Sequence, residues 1–180
     1  MDADERAAIA EEVRRTVRDI PDFPKPGILF RDITPVLANP ALFAAVVNVL
    51  ASPFAGQGIT HVVSIESRGF IFGAPVALAL DAAFVPVRKP GKLPAATVRE
   101  AYALEYGTDA LEMHADALVG ANGVLIVDDV LATGGTAAAA CRLVERSGGR
   151  VFACAFLLEL TALHGRGALG KTRAEALLAY

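Results

Sequence analysis

The amino-acid sequence predicts an α/β protein, with a central, mainly parallel sheet flanked by helices. Two observations lead there. From residue 61 onward, strand-length apolar runs alternate with helix-length ones, in the order HVVSIE, FIFGAPVALAL, AAFVPV and then GVLIVDD, TAAAACRLVERSG, VFACAFLLEL. The strand runs are apolar at successive positions rather than at every second one, as in strands buried on both faces. The helical runs between them supply the crossovers that parallel strands need. A length of 180 residues with 54% hydrophobic residues indicates one domain, residues 1–180, around one core.

Ahead of the sheet, Asp4 to roughly Ile20 reads as an amphipathic helix, since Ile9, Val13, Val17 and Ile20 recur every three or four residues among Arg and Glu. Pro21 is expected to end it. Pro21 to Gly27 then carries three prolines and a glycine in seven residues, which dictates an extended or turning path. Asn39-Pro40 reads as a helix cap followed by proline at the first helical position, opening a helix through Leu50. Between the two halves of the sheet, Val98 to His114 has another texture. There Tyr102, Leu104 and Tyr106 alternate with Ala103 and Glu105, and Gly107-Thr108-Asp109 leads into LEMH, so an antiparallel hairpin is expected.

Composition excludes several classes of function. With 21% charged residues and a mean hydropathy of +0.45, the chain is far from the balance that keeps a protein disordered, although much of its apolar count is small alanine. No run reaches the roughly 18 apolar residues of a membrane span. The N-terminal MDADERAAIAEEVRR is acidic where a secretion signal is basic and then apolar, so a cytoplasmic location is expected. Cys141 and Cys154 lie in apolar contexts without C-x-x-C spacing and read as buried free thiols. A formal charge of -3 leaves no basic field for a nucleic acid, and any phosphate must be held locally. His61, His114 and His164 have no metal spacing, and Ser64 and Ser67 lack a G-x-S-x-G frame. Gly165-Arg-Gly-Ala-Leu-Gly matches a dinucleotide fingerprint by chance, since too little chain follows for the βαβ unit it requires.

The sharpest chemical signal is VLIVDDVLATGGT, Val124 to Thr136. Ligands of open parallel sheets bind beyond the carboxyl ends of strands, where Asp128 and Asp129 are expected. After Ala132, the residues Thr133, Gly134, Gly135 and Thr136 can turn backbone N–H groups and two hydroxyls toward one point at a helix start, which suits a monophosphate. The loop lacks the lysine and spacing of a nucleoside triphosphate loop. The plainer alternative is a turn at Asp129 and a helix cap at Thr133-Gly134. Glu66, Ser67 and Arg68 follow the HVVSI strand at another carboxyl end, suited to a diphosphate unless Arg68 is simply paired with Glu66. Arg88, Lys89 and Lys92, set among Pro90, Gly91 and Pro94, form a basic loop that is either solvated or closes over a polyanion. Glu105 is a lone carboxylate opposite the aromatic face, and Leu29 and Arg31 flank Phe30 in the proline-framed loop.

Four apolar residues, two acids and a T-G-G-T loop resemble the phosphoribosyl diphosphate signature of the type I phosphoribosyltransferases. FPKPGILFRDITPVL, ESRGFIFG, RKPGKLP and LEYG, in that order from about Phe23 to Arg166, are similar to the adenine phosphoribosyltransferases. The resemblance implies the type I fold, with an N-terminal helix and hood over about residues 1–35 and a lid and hairpin over about residues 88–114. It implies transfer of phosphoribose to adenine in purine salvage, giving AMP and pyrophosphate. Asp128 and Asp129 would hold the ribose, Ala132 to Thr136 the 5′-phosphate, and Glu66, Ser67 and Arg68 the pyrophosphate. Arg88, Lys89 and Lys92 would form the lid, Glu105 would shuttle the purine proton, and Leu29 and Arg31 would cover the base. Magnesium would arrive with the substrate rather than on dedicated protein ligands, and a homodimer is expected. The alternatives are a phosphoribosyltransferase for another base and a non-catalytic regulator that senses phosphoribosyl diphosphate.

Overall fold

The computed structural model describes residues 1–103 and 108–180. The first helix, α1 (Ala3–Thr16), is capped by the Asp2 carboxylate, which accepts from the Glu5 backbone N–H at 2.8 Å. It stops four residues before the expected end. Val17 is extended, and Arg18–Ile20 forms strand β1, antiparallel to β2 (Phe30–Asp32). Tertiary pairing overrides the helical spacing here: the register sets Asp19 opposite Arg31 and Arg18 opposite Asp32, and both couples are ion pairs. A short helix α2 (Thr34–Leu37) precedes α3 (Pro40–Ala51), whose Asn39 side chain caps it as expected by accepting from Leu42 N at 3.1 Å.

The central sheet begins with β3 (His61–Ile65), helix α4 (Arg68–Ala79) and β4 (Ala83–Val87). The hairpin β5 (Thr97–Ala103) and β6 (Thr108–His114) intervenes. Then come β7 (Val124–Leu131), α5 (Gly135–Arg146), β8 (Val151–Glu159), the short α6 (Gly165–Ala168) and β9 (Ala174–Ala179). The five sheet strands run in the order β4-β3-β7-β8-β9, every pair parallel.

Alternate residues of the same strands enter two separate cores. Val62, Leu125, Val127 and Leu157 pack with Val13, Val46 and Phe72 on one face, while Val63, Ile126 and Phe156 pack with Leu143, Val144 and Met113 on the other. The uniformly apolar strands are thus covered on both faces. From neighbouring strands β3 and β7, the connections leave toward opposite faces, α4 to one and α5 to the other. That divergence opens a crevice beyond their carboxyl ends.

Close contacts fix the rim of that crevice. A Cβ at Gly69 would lie 2.7 Å from Asp128 Oδ1, and one at Gly73 would collide with Ser64, so α4 can approach the sheet only through these two glycines. The Ser64 hydroxyl is buried and donates to Val127 O at 2.9 Å. The hairpin lies against α5, where Glu100 accepts from Arg142 Nε and Arg146 Nη1, each at 2.6 Å. Cys141 and Cys154 are both buried and unbridged, their sulfurs 3.7 Å apart.

Candidate active site

The crevice between β3 and β7 is a cavity of about 510 Å³. It lies where the topology of the sheet predicts a ligand site. Asp128 and Asp129 form its floor, but they sit inside β7 rather than at its end. The strand continues to Leu131 because Val130 and Leu131 still pair with Leu158 and Glu159 of β8. Asp129 is 5% exposed, and its Oδ2 is buried without a hydrogen-bond partner. Arg68 Nε lies 2.8 Å from that oxygen, close enough for an ion pair but not aligned as a hydrogen bond. Buried acceptors without a hydrogen bond are rare, and beside its Arg68 ion pair this oxygen can still accept from a ligand hydroxyl or N–H. Burial raises the pKa of both carboxyls. In Asp128 the neighbouring Asp129 charge adds to the effect, whereas in Asp129 the Arg68 guanidinium opposes it.

Two helix starts face this floor. Helix α5 opens at Gly135 with no side-chain cap, so its first N–H groups are left for the cavity beside Thr133 and Thr136. Gly134 is left-handed, with φ +81°, and a side chain there would collide with the carbonyl of Gly165. Gly165 in turn has no room for a Cβ against Ala132 O. The glycine-rich segment discarded as a chance match is therefore the packing partner of the phosphate-suited loop. Arg166 holds it in place by donating to both oxygens of Glu159 at 2.7–3.0 Å. Helix α4, likewise uncapped, begins at Arg68 after Ser67, and the Arg68 guanidinium lies 5.4 Å from the centre of the Phe30 ring.

The basic segment is anchored rather than free. Glu66 accepts from Arg88 Nε and from Lys92 Nζ, each at 2.7 Å, and these hydrogen bonds outweigh burial to lower its pKa. The Arg68–Glu66 pair considered from sequence does not form, since Arg68 turns to Asp129. Lys89 faces the cavity, whereas Arg88 and Lys92 reach it only through Glu66. Leu29 and Arg31 line the opposite side together with Phe30. Arg31 is held by Asp19 and lies 4.0 Å above the ring of Tyr180. The remaining sequence candidate, Glu105, falls outside the described residues.

Sequence reasoning missed Tyr102, Leu160 and Gly165. The sequence shows Tyr102 only as part of an alternating aromatic face, yet it is a cavity residue whose hydroxyl approaches Lys89, Asp109 and Thr136. Its alternation with Ala103 gives its face but not its polar partners, which come from the facing strand of the hairpin, the basic segment and α5.

Comparison with known proteins bears directly on this site. Residues 33–170 match the sequence model of the phosphoribosyl transferase domain. The adenine phosphoribosyltransferase of Myxococcus xanthus is 55% identical over 172 residues, covering 96% of this chain and 94% of that protein. The crystal structure of adenine phosphoribosyltransferase from Rhodothermus marinus superposes with a TM-score of 0.91 at 55% identity, covering 97% of this chain and 99% of that one. The Saccharomyces cerevisiae enzyme, complexed with an imino-altritol bisphosphate and adenine, gives 0.90 at 41% identity, covering 96% and 99%. With paired acids above a glycine-framed helix start and this similarity over nearly its whole length, the chain belongs to the type I phosphoribosyltransferases, in the adenine phosphoribosyltransferase family.

Proposed function

We propose that this chain transfers the phosphoribosyl group of 5-phospho-α-D-ribose 1-diphosphate to adenine, giving AMP and pyrophosphate. The observation that carries the reading is the buried Asp129 carboxylate, ion-paired to Arg68 and with no hydrogen-bond partner on Oδ2, set between two uncapped helix starts in one cavity. A ligand with a hydroxyl-bearing centre and phosphates at either end answers that arrangement. The family relatives supply the base.

In this reading the 5′-phosphate sits on Ala132 to Thr136 and the ribose hydroxyls on Asp128 and Asp129. The pyrophosphate sits against Ser67 and Arg68, with Lys89, Arg88 and Lys92 closing over it, and Glu66 completes that loop. Cleavage of the bond from C1′ to the diphosphate oxygen leaves negative charge on the leaving group and positive charge on the sugar. Arg68 and the N–H groups at the start of α4 stabilise the first, and the two carboxylates the second. The adenine N9 forms the new bond to C1′ and gives up its proton, which we assign to Glu105. Leu29 and Arg31 cover the base, and closure keeps water from intercepting the sugar.

Magnesium fits this donor set as an ion carried by substrate. Asp128 and Asp129 bring hard oxygens to the cavity, the donor type that magnesium prefers. When bound, it would neutralise diphosphate charge. We further propose that residues 1–180 act as one phosphoribosyltransferase domain, with the hood over about 1–35 and the lid and hairpin over about 88–114. The cytoplasm is the proposed location, and the absence of any helix long and apolar enough to cross a membrane among the described residues accords with it. A homodimer is proposed as the working form. Ile71 and Leu78 on one face of α4, with Leu78 84% exposed, offer apolar surface for a second copy.

The test is pyrophosphate release from magnesium and phosphoribosyl diphosphate with adenine, hypoxanthine, guanine, uracil or orotate. Adenine-dependent release with AMP as co-product is expected. Release only with another base would overturn the base assignment, and binding of phosphoribosyl diphosphate without release would favour a sensor.

A further inference from the structure

Tyr102 is 6% exposed, and a phenylalanine would fill its apolar surroundings equally well. Its hydroxyl instead meets polar atoms from three separate parts of the chain. Lys89 Nζ lies 3.3 Å away, Asp109 Oδ2 3.3 Å and Thr136 Oγ1 3.4 Å. Lys89 and Thr136 are donors toward it, so the phenol proton is directed to Asp109. Asp109 is the cross-strand neighbour of Tyr102 in the hairpin and pairs with Lys89. In this state the Lys89 ammonium is therefore committed to an internal carboxylate.

That commitment has a consequence for any polyanion entering the cavity. Lys89 can turn to a diphosphate only by leaving Asp109, and a partly buried carboxylate stripped of its cation is costly unless another donor remains. On Oδ2, the oxygen that Lys89 would vacate, the Tyr102 O–H is that donor, while Oδ1 already accepts from the Ala110 backbone N–H at 2.7 Å. We propose that Tyr102 is a positioning residue that keeps the Oδ2 atom of Asp109 hydrogen-bonded when Lys89 transfers to the diphosphate of the substrate. Through Thr136, it also holds this exchange in register with the loop that takes the 5′-phosphate. The inference rests on the proposed function for its ligand, since it needs Lys89 to face a diphosphate.

The test is Tyr102→Phe, Asp109→Asn and the double variant, each checked for folding by thermal unfolding. For each, KM for phosphoribosyl diphosphate, KM for adenine and kcat are measured, with calorimetric binding of magnesium pyrophosphate alongside. Tyr102→Phe should raise KM for phosphoribosyl diphosphate and weaken pyrophosphate binding by about tenfold, the size of one hydrogen bond to a charged group. KM for adenine should stay within twofold. In the Asp109→Asn background, where no carboxylate is stranded, Tyr102→Phe should change either constant by less than about twofold. A tenfold loss repeated in that background, an equal loss toward both substrates, or no loss in Tyr102→Phe would each overturn the inference. If the unmodified protein neither binds pyrophosphate nor releases it in the presence of adenine, the proposed function itself fails and the inference with it.

Discussion

Gly165→Ala perturbs the site from outside it. Gly165 lies in α6, yet its α-carbon faces Ala132 O, and an added methyl would fall well inside van der Waals contact of that oxygen. It would also come within 3.0 Å of Leu131 Cγ and Cδ1. Retreat of α6 is resisted by Arg166, bound to Glu159 and to the Ala174 carbonyl at 2.6 Å, so much of the movement must be taken up by residues 132–134. Overpacking of this kind costs about 2 kcal/mol, which for a chain of this size lowers Tm by roughly 4–8 °C. The larger effect is expected in function, because a loop displaced by about 1 Å can cost on the order of a hundredfold in rate. Steady-state kinetics with each substrate varied in turn should therefore show kcat/KM for phosphoribosyl diphosphate reduced by about that factor, with KM for adenine little changed. A variant that unfolds at the wild-type temperature and keeps its wild-type kcat/KM for phosphoribosyl diphosphate would refute the packing argument.

Two further outcomes follow from particular contacts. Asp128 has a folded pKa raised by burial and by Asp129, so its contribution to stability is full below about pH 4, the ordinary aspartate value, and is lost as pH rises through the raised value. Asp128→Asn should then raise Tm near neutral pH, with the gain shrinking toward acid, while turnover falls; an unchanged Tm difference across the titration would contradict this. Tyr180→Ala removes the ring 4.0 Å from the Arg31 guanidinium and should raise KM for adenine roughly fivefold, for about 1 kcal/mol of cation–π contact. Tyr180→Phe should restore it, and an unchanged KM in Tyr180→Ala would remove Arg31 from the base site.

The parts of the fold legible in the sequence are those whose burial is uniform. Strands β3, β7 and β8 carry unbroken apolar runs because both faces are covered, and Asn39-Pro40 declares its helix through local capping chemistry. Ile20, by contrast, fits a helical face and a strand equally well, and only Phe30–Asp32, ten residues on, decides for the strand. The final strand, AEALLA, is made of residues without strong β preference and exists because β8 offers it an edge. At the site, Asp128, Asp129 and Thr133 to Thr136 were legible because one contiguous segment carries them all. Glu66 was legible as a loop residue but not as the anchor of Arg88 and Lys92, and Tyr102 was not legible as a polar residue at all. The Glu66 pairings join segments more than twenty residues apart, and Tyr102 reaches Asp109 across the hairpin, Lys89 thirteen residues back and Thr136 in α5, so no local pattern encodes them.

The central claim is that one cavity, with Asp129 at its floor, performs the transfer. The most direct measurement is AMP formation by Asp129→Asn at saturating adenine with phosphoribosyl diphosphate varied, since asparagine keeps the shape but removes the charge beside Arg68. We expect kcat/KM to fall by about a hundredfold, the scale of one strong hydrogen bond to a charged group, with KM for adenine unchanged. Wild-type kcat/KM in that variant would place the reaction elsewhere in the molecule and contradict the account.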